Sequence, residues 1–218
     1  PYTINLSLVS KKNFSTIAGS SWWFFVGTIC YLLNFQTDVF IITTFFNLEM
    51  VALYTIYYKF VHIFMMILTK PAESYIPTIA ARYNNSESTA LRQTHRLFLA
   101  AIFAASLVAA AFLIKPGYLL LQWWIGFDVI NNFSLFVPFV IYLILFSIDN
   151  VSSTFLWAMC RHKRSVLMGL LNGSLNIALS IIFLHYIGIS GVMWGSIGAL
   201  LLTNFWYNIY LLANALKT

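Results

Sequence analysis

The sequence predicts an all-α fold: an integral membrane bundle of six transmembrane helices. Hydrophobic residues make up 61% of the 218 and charged residues only 8%, against roughly 25% charged in an ordinary soluble domain. Apolar runs longer than the ~20 residues of a bilayer crossing recur along the whole chain. The strict alternation of barrel strands is absent.

The six spans are expected near residues 15–46, 50–83, 89–114, 131–160, 165–186 and 189–216. The first two exceed a straight crossing and should tilt, kink or run past the hydrocarbon. The apolar stretch after Lys11 and Lys12 is too long for a signal peptide and has no small-residue cleavage pattern. Tight turns are expected around Asn47 to Glu49 and at Gly188. Pro116 is expected to end the third span, leaving PGYLLLQWWIGF as an interfacial helix whose Trp123 and Trp124 sit at headgroup depth; a lid over a substrate path is the other reading. RYNNSEST and LRQTHRLF read as a polar turn and an interfacial start to span three. The spacings of Gly169 with Gly173 and Gly191 with Gly195 suit close helix contact.

Cationic residues in short loops stay on the cytoplasmic side. With a cytoplasmic N-terminus that side holds Lys11, Lys12, Arg82, Arg92, Arg96, Arg161, Lys163, Arg164 and Lys217, and the other only Lys115. Both termini are therefore expected to be cytoplasmic. The net charge of +6 is a topology signal rather than a nucleic-acid footprint. By the same logic Arg161 to Arg164 anchor topology more readily than they gate a phosphate. Cys30 and Cys160 lie too far apart in depth to pair. His62, His95, His162 and His185 are scattered, so no metal or other cofactor is expected.

The second span is the anomaly. At 100° per residue Lys59, His62, Met66, Lys70, Glu73 and Pro77 fall on one stripe. A charge at the bilayer centre costs at least ~2.5 kcal/mol, so this stripe is expected to face a protein-lined or wet interior and to attract anions, phosphate first. Depth counting from the turn near residue 48 sets Asp38 level with Lys59, and Lys70 level with Asp149 and one turn from Glu73. Two buried ion pairs that lock the bundle are one reading; substrate binding and ion coupling are the other. Pro71 and Pro77 leave the carbonyls of Ile67 and Glu73 short of donors and are candidate hinges. Asn172 with Asn176, and Asn204 with Asn208, are candidate interhelical glue or a polar cavity wall.

Three stretches carry a family likeness. QTDVFIITTFFNLEMVALYTIYYK (36–59), YIPTIAARYNN (75–85) and NGSLNIALSIIFLHYIGISGVMWGS (172–196) resemble the C-terminal half of polysaccharide flippases in the multidrug/oligosaccharidyl-lipid/polysaccharide exporter superfamily. The resemblance implies one six-helix lobe of a MATE-like, two-lobe transporter fold, with residues 1–218 a fragment lacking the N-terminal lobe. It implies a flippase of a bacterial inner membrane moving undecaprenyl-pyrophosphate-linked oligosaccharide for surface polysaccharide (O-antigen, lipopolysaccharide or exopolysaccharide), not an enzyme. The implied partners are that lipid-linked oligosaccharide, membrane lipid and the N-terminal lobe, with a polysaccharide polymerase left open. By motif position it carries over Asp38 and Lys59. Asn47 stands where the family commonly has glycine, and asparagine tolerates the same backbone conformation. A cation-coupled multidrug exporter of the same superfamily stays open, as does a membrane-embedded glycan polymerase or ligase, although the outer loops offer such an enzyme only Glu49, Lys115 and Asp128.

Overall fold

The computed structural model describes residues 11–126 and 131–217; Asp128 lies outside them. Every regular element in the described residues is helical. The elements are α1 (Lys11–Phe35), α2 (Thr37–Phe45), α3 (Leu48–Ser74), α4 (Ile76–Asn84), α5 (Ser88–Phe112), a π-helical turn (Leu113–Gly117), α6 (Tyr118–Ile125), α7 (Phe133–Ala158), α8 (Lys163–Ile187), α9 (Ser190–Leu202) and α10 (Asn204–Ala215). They join into six spans long and apolar enough to cross a bilayer: Ser21–Phe45, Leu48–Asn84, Ser88–Ile125, Phe133–Ala158, Lys163–Ile187 and Ser190–Ala215. The predicted spans agree to within a few residues, with one exception.

That exception is span three. Pro116 does not end it: the chain passes through a π turn and stays helical to Ile125. Proline lacks an N–H and its ring would strike a carbonyl of the preceding turn. The wider π turn accommodates it without breaking the helix. Trp123 and Trp124 therefore end a continuous helix, and both are exposed.

The tight turns form as expected, by different means. Gly188 takes a positive φ of 74°. Asn47 does not: at φ −80° it is extended and caps α3 by accepting a hydrogen bond from the Met50 N–H, so its side chain, not a left-handed backbone, makes the turn.

Span four is the axis of the bundle. Over half of its most apolar window is buried, 56%, against 22% for spans two and three. Around it the fully buried Tyr54, Tyr57, Leu113, Leu121, Leu135, Phe136 and Phe139 form the main core. A second cluster (Ile79, Leu91, Val151, Phe155, Leu212 and neighbours) closes the end that carries the termini. Glycines bring the remaining spans together. A Cβ on Gly173 would lie 2.9 Å from Leu33 Cβ, and one on Gly195 2.5 Å from the Ser180 nitrogen, so α8 lies close on α1 and α9 closer on α8. Large apolar side chains such as Phe25, Phe40, Ile63, Leu97 and Val108 point outward.

At the terminal end three arginines tie turns to one another. Arg82 Nη1 donates to Thr94 Oγ1 (2.9 Å), Arg92 Nη2 to the Leu216 carbonyl (2.8 Å) and Arg161 Nε to Tyr83 Oη (3.0 Å). In the turn between spans four and five, Cys160 takes φ 56°. Cys30 and Cys160 are both free. Beside Cys160, the buried His162 ring stacks on Trp157 at 4.1 Å with its Nδ1 unpartnered. Burial, and secondarily the charge of Lys163, hold its pKa below the ordinary value. Its unfolded form thus binds a proton first as pH falls, so its contribution is intact above about 6.5 and is lost below it. Melting temperatures are expected to drop between about pH 7 and about pH 5, and His162→Gln to flatten that dependence.

Candidate functional site

Asp38 sits in the first turn of α2, just past the helix break at Gln36. It is buried, at 6% exposure. The Tyr54 hydroxyl donates to Oδ2 at 2.8 Å, the Ser196 hydroxyl reaches the same oxygen at 3.1 Å, and Asn176 Nδ2 reaches Oδ1 at 3.4 Å. Asn176 Oδ1 in turn faces the hydroxyls of Ser180 (3.0 Å) and Ser196 (2.9 Å), and both hydroxyls also lie within 3.3 Å of the Val192 carbonyl. Four elements, α2, α3, α8 and α9, thus converge on one carboxylate.

The cluster holds more acceptors than protons. Ser196 has one hydroxyl hydrogen for three oxygens, on Asp38, Asn176 and Val192; Ser180 has one for two. No cation neutralises Asp38 among the described residues. A proton or a small monovalent cation would meet this excess of oxygen.

Asp149, on α7, is the second buried carboxylate. Asn208 Nδ2 donates to its Oδ1 at 2.8 Å, while the buried Asn208 Oδ1 finds no partner. Asp149 borders a cleft of about 220 Å³ between α1 and α7, floored by α8 and the α9–α10 junction. That junction is a break at Thr203, whose Oγ1 donates to the Ala199 carbonyl (2.6 Å) and accepts from Asn172 Nδ2 (2.9 Å). The four asparagines of the last two spans therefore divide. Asn176 and Asn208 hold carboxylates, Asn172 joins α8 to the break, and Asn204 faces the cleft.

The ionisable stripe of span two lies elsewhere. Lys59 is exposed and does not pair with Asp38; Lys70 pairs with Glu73 at 2.6 Å on the surface, not with Asp149. His62 is half-buried beside the Tyr58 ring at 5.2 Å, and Met66, Pro71 and Pro77 are exposed. The reason is rotational. Span two packs with Val61, Met65, Thr69 and Ala72, each one residue before His62, Met66, Lys70 and Glu73 and so about 100° around the helix. The expected buried ion pairs are replaced by hydroxyls and amides. Helix α3 continues through Pro71, and the bend comes at Tyr75, so Pro77 sits in the first turn of α4, where a missing N–H costs little. Among the described residues no three His, Cys, Asp or Glu side chains cluster as a metal site.

Sequence reasoning passed over Ser180, Ser196 and Thr203. Their one signal was position: Ser180 lies four residues from Asn176, and Ser196 follows the close-packing Gly195.

No protein-family model matches the chain, and no curated protein matches it. Solved structures do. A MATE in the bent conformation superposes with a TM-score of 0.79 at 16% identity, over 98% of this chain and 49% of that one. The chain has the fold of half a MATE. A MATE in the straight conformation superposes at 0.73 and 15% identity, over 99% of this chain and 51% of that one. The chain thus spans about half the length of the MATE structures it matches.

Proposed function

We propose that this chain is one lobe of a two-lobe membrane exporter that flips a lipid-linked oligosaccharide, with the Asp38 cluster coupling the movement to an ion. The observation that carries the reading is Lys59. It lies eleven residues past the turn at Leu48, well inside the bilayer by a rise of about 1.5 Å per residue, exposed and without an ion pair among the described residues. Facing acyl chains, it would cost ~2.5 kcal/mol or more. Facing a wet space shared with a second lobe, it offers an ammonium to a phosphate, with His62 one turn further along. The twofold length of the matched MATE structures supports a second lobe there.

A cation-coupled multidrug exporter is the second reading, favoured by two buried aspartates that lack cationic partners. The test uses the full-length protein in its host. Lys59→Ala is expected to lower surface glycan about tenfold, the size of one charge-assisted hydrogen bond, and Lys59→Arg to retain most of it. Drug susceptibility should stay unchanged. Normal glycan at normal protein level overturns the reading, and altered drug susceptibility with intact glycan selects the second.

A further inference from the structure

We infer that the cleft between α1 and α7 is a subsite for one uncharged sugar ring of the transported glycan; this rests on the oligosaccharide reading above. The cleft's lining is amide-rich, with Asn34, Asn150, Asn172 and Asn204 around the carboxylate of Asp149. Much of its hydrogen-bonding capacity is unspent. Asn34 uses only Nδ2, on the Cys30 carbonyl; Asn172 uses only Nδ2, on Thr203; Asn150 uses only Oδ1, which accepts from Thr154. Asn204 Oδ1 is buried and has no partner.

Free donors and acceptors held side by side within a membrane protein are costly unless something meets them. Water does so when the cleft is empty. A sugar ring does it better, because each ring hydroxyl both donates and accepts, and adjacent hydroxyls bridge paired amide and carboxylate groups. Tyr142 and Phe146, stacked at 5.7 Å on the same wall, supply ring surface for the C–H side of a pyranose.

The other occupants fit less well. Among the described residues no lysine, arginine or histidine lines the cleft, and the Asp149 carboxylate repels a phosphate, so the lipid diphosphate belongs outside it. At about 220 Å³ it falls below the roughly 300–1,000 Å³ of sites that enclose drug-sized ligands. An inorganic cation would find amide N–H groups, as on Asn150, among the oxygens.

Ser153 lines the cleft, and its side chain makes no hydrogen bond among the described residues, which makes it the reporter position. The test is alkylation of S153C by N-ethylmaleimide in proteoliposomes of the full-length protein, read at residue 153 by peptide mass spectrometry. The added probe is the water-soluble glycan released by mild acid from the lipid-linked pool of host membranes. Parallel arms use inorganic pyrophosphate, sodium ion and tetraphenylphosphonium. The glycan is expected to slow alkylation at least threefold, and the other three to leave it unchanged. Failure of the glycan to protect, equal protection by pyrophosphate or either cation, or a residue 153 that never reacts each overturns the subsite. In cells, S153W at wild-type protein level is expected to cut glycan export more than tenfold; equal export by S153W counts against the subsite. Deleting the whole gene separates the two levels. Unchanged surface glycan on deletion sinks the oligosaccharide reading itself, whereas lost glycan on deletion without protection of S153C sinks the subsite alone.

Discussion

Asp38→Asn in the full-length protein is expected to abolish transport, by on the order of 100-fold, while the lobe remains folded. The substitution is nearly isosteric. It keeps one oxygen for the Tyr54 and Ser196 hydroxyls but puts an NH₂ where the second oxygen met Asn176 Nδ2, so one of three contacts turns repulsive. The loss in stability should be about 1 kcal/mol, since a single hydrogen bond is at stake. The loss in function is of another kind. An amide neither takes up a proton nor offers a full charge to a cation, so the excess of oxygen around Asn176, Ser180 and Val192 loses the group that makes it responsive. A 100-fold drop is near the upper end of measured couplings between two sites. Glycan export and a melting curve on the same preparation separate the two effects. Transport near the wild-type rate with Asp38→Asn would remove the coupling role. Asp38→Ala is the harsher control: it empties the space of a buried side chain and leaves Tyr54, Ser196 and Asn176 to their other acceptors, Met193 Sδ, Asn176 Oδ1 and the Asn34 carbonyl, so it should melt below Asp38→Asn.

Along the chain axis the molecule was legible; around each helix it was not. Apolar run length locates each span, because the bilayer sets that length, and only the end of span three lies far from where it was expected. Depth follows from the same counting, and Asp38 and Lys59 do lie on facing spans that turn at Asn47. What counting lacks is rotation. One residue turns a side chain through 100°, so the charged stripe left the core while Tyr54 and Tyr57 on the neighbouring face entered it. The breaks at Gln36 and Thr203 carry neither proline nor glycine and were invisible for that reason. At Pro116 the error ran the other way, because a proline in a π turn carries the same letter as one that stops a helix. The amide pairs were legible as pairs, since i and i+4 share a face. Which of them would hold a carboxylate depended on two hydroxyls of the last two spans that no spacing rule selects.

Gly195→Val is expected to be the most damaging single substitution for the fold. An added Cβ would sit 2.5 Å from the Ser180 nitrogen and 2.6 Å from its Cα, where ordinary contacts begin near 3.4 Å, and backbone cannot swing aside as a flexible side chain can. Gly191 is pressed in the same way against the Phe183 carbonyl. Span six must therefore back away from span five, and overpacking of this kind costs about 1–3 kcal/mol or more. For a chain of this size that is a fall of about 10 °C in melting temperature at the upper end. Gly198→Ala is the matched control. Its nearest neighbour is the end of the Leu179 side chain, 3.3 Å away, which can yield, so it should melt within about 2 °C of wild type. The damage should also reach Asp38. Ser196 follows Gly195 directly, and its hydroxyl reaches both Asp38 and Asn176 only because the two helices touch backbone to backbone. A milder Gly195→Ala, expressed at low temperature to rescue folding, should thus recover protein without recovering export. Wild-type melting for Gly195→Val, or full export for a rescued Gly195→Ala, would break the link drawn here between helix contact and the buried carboxylate.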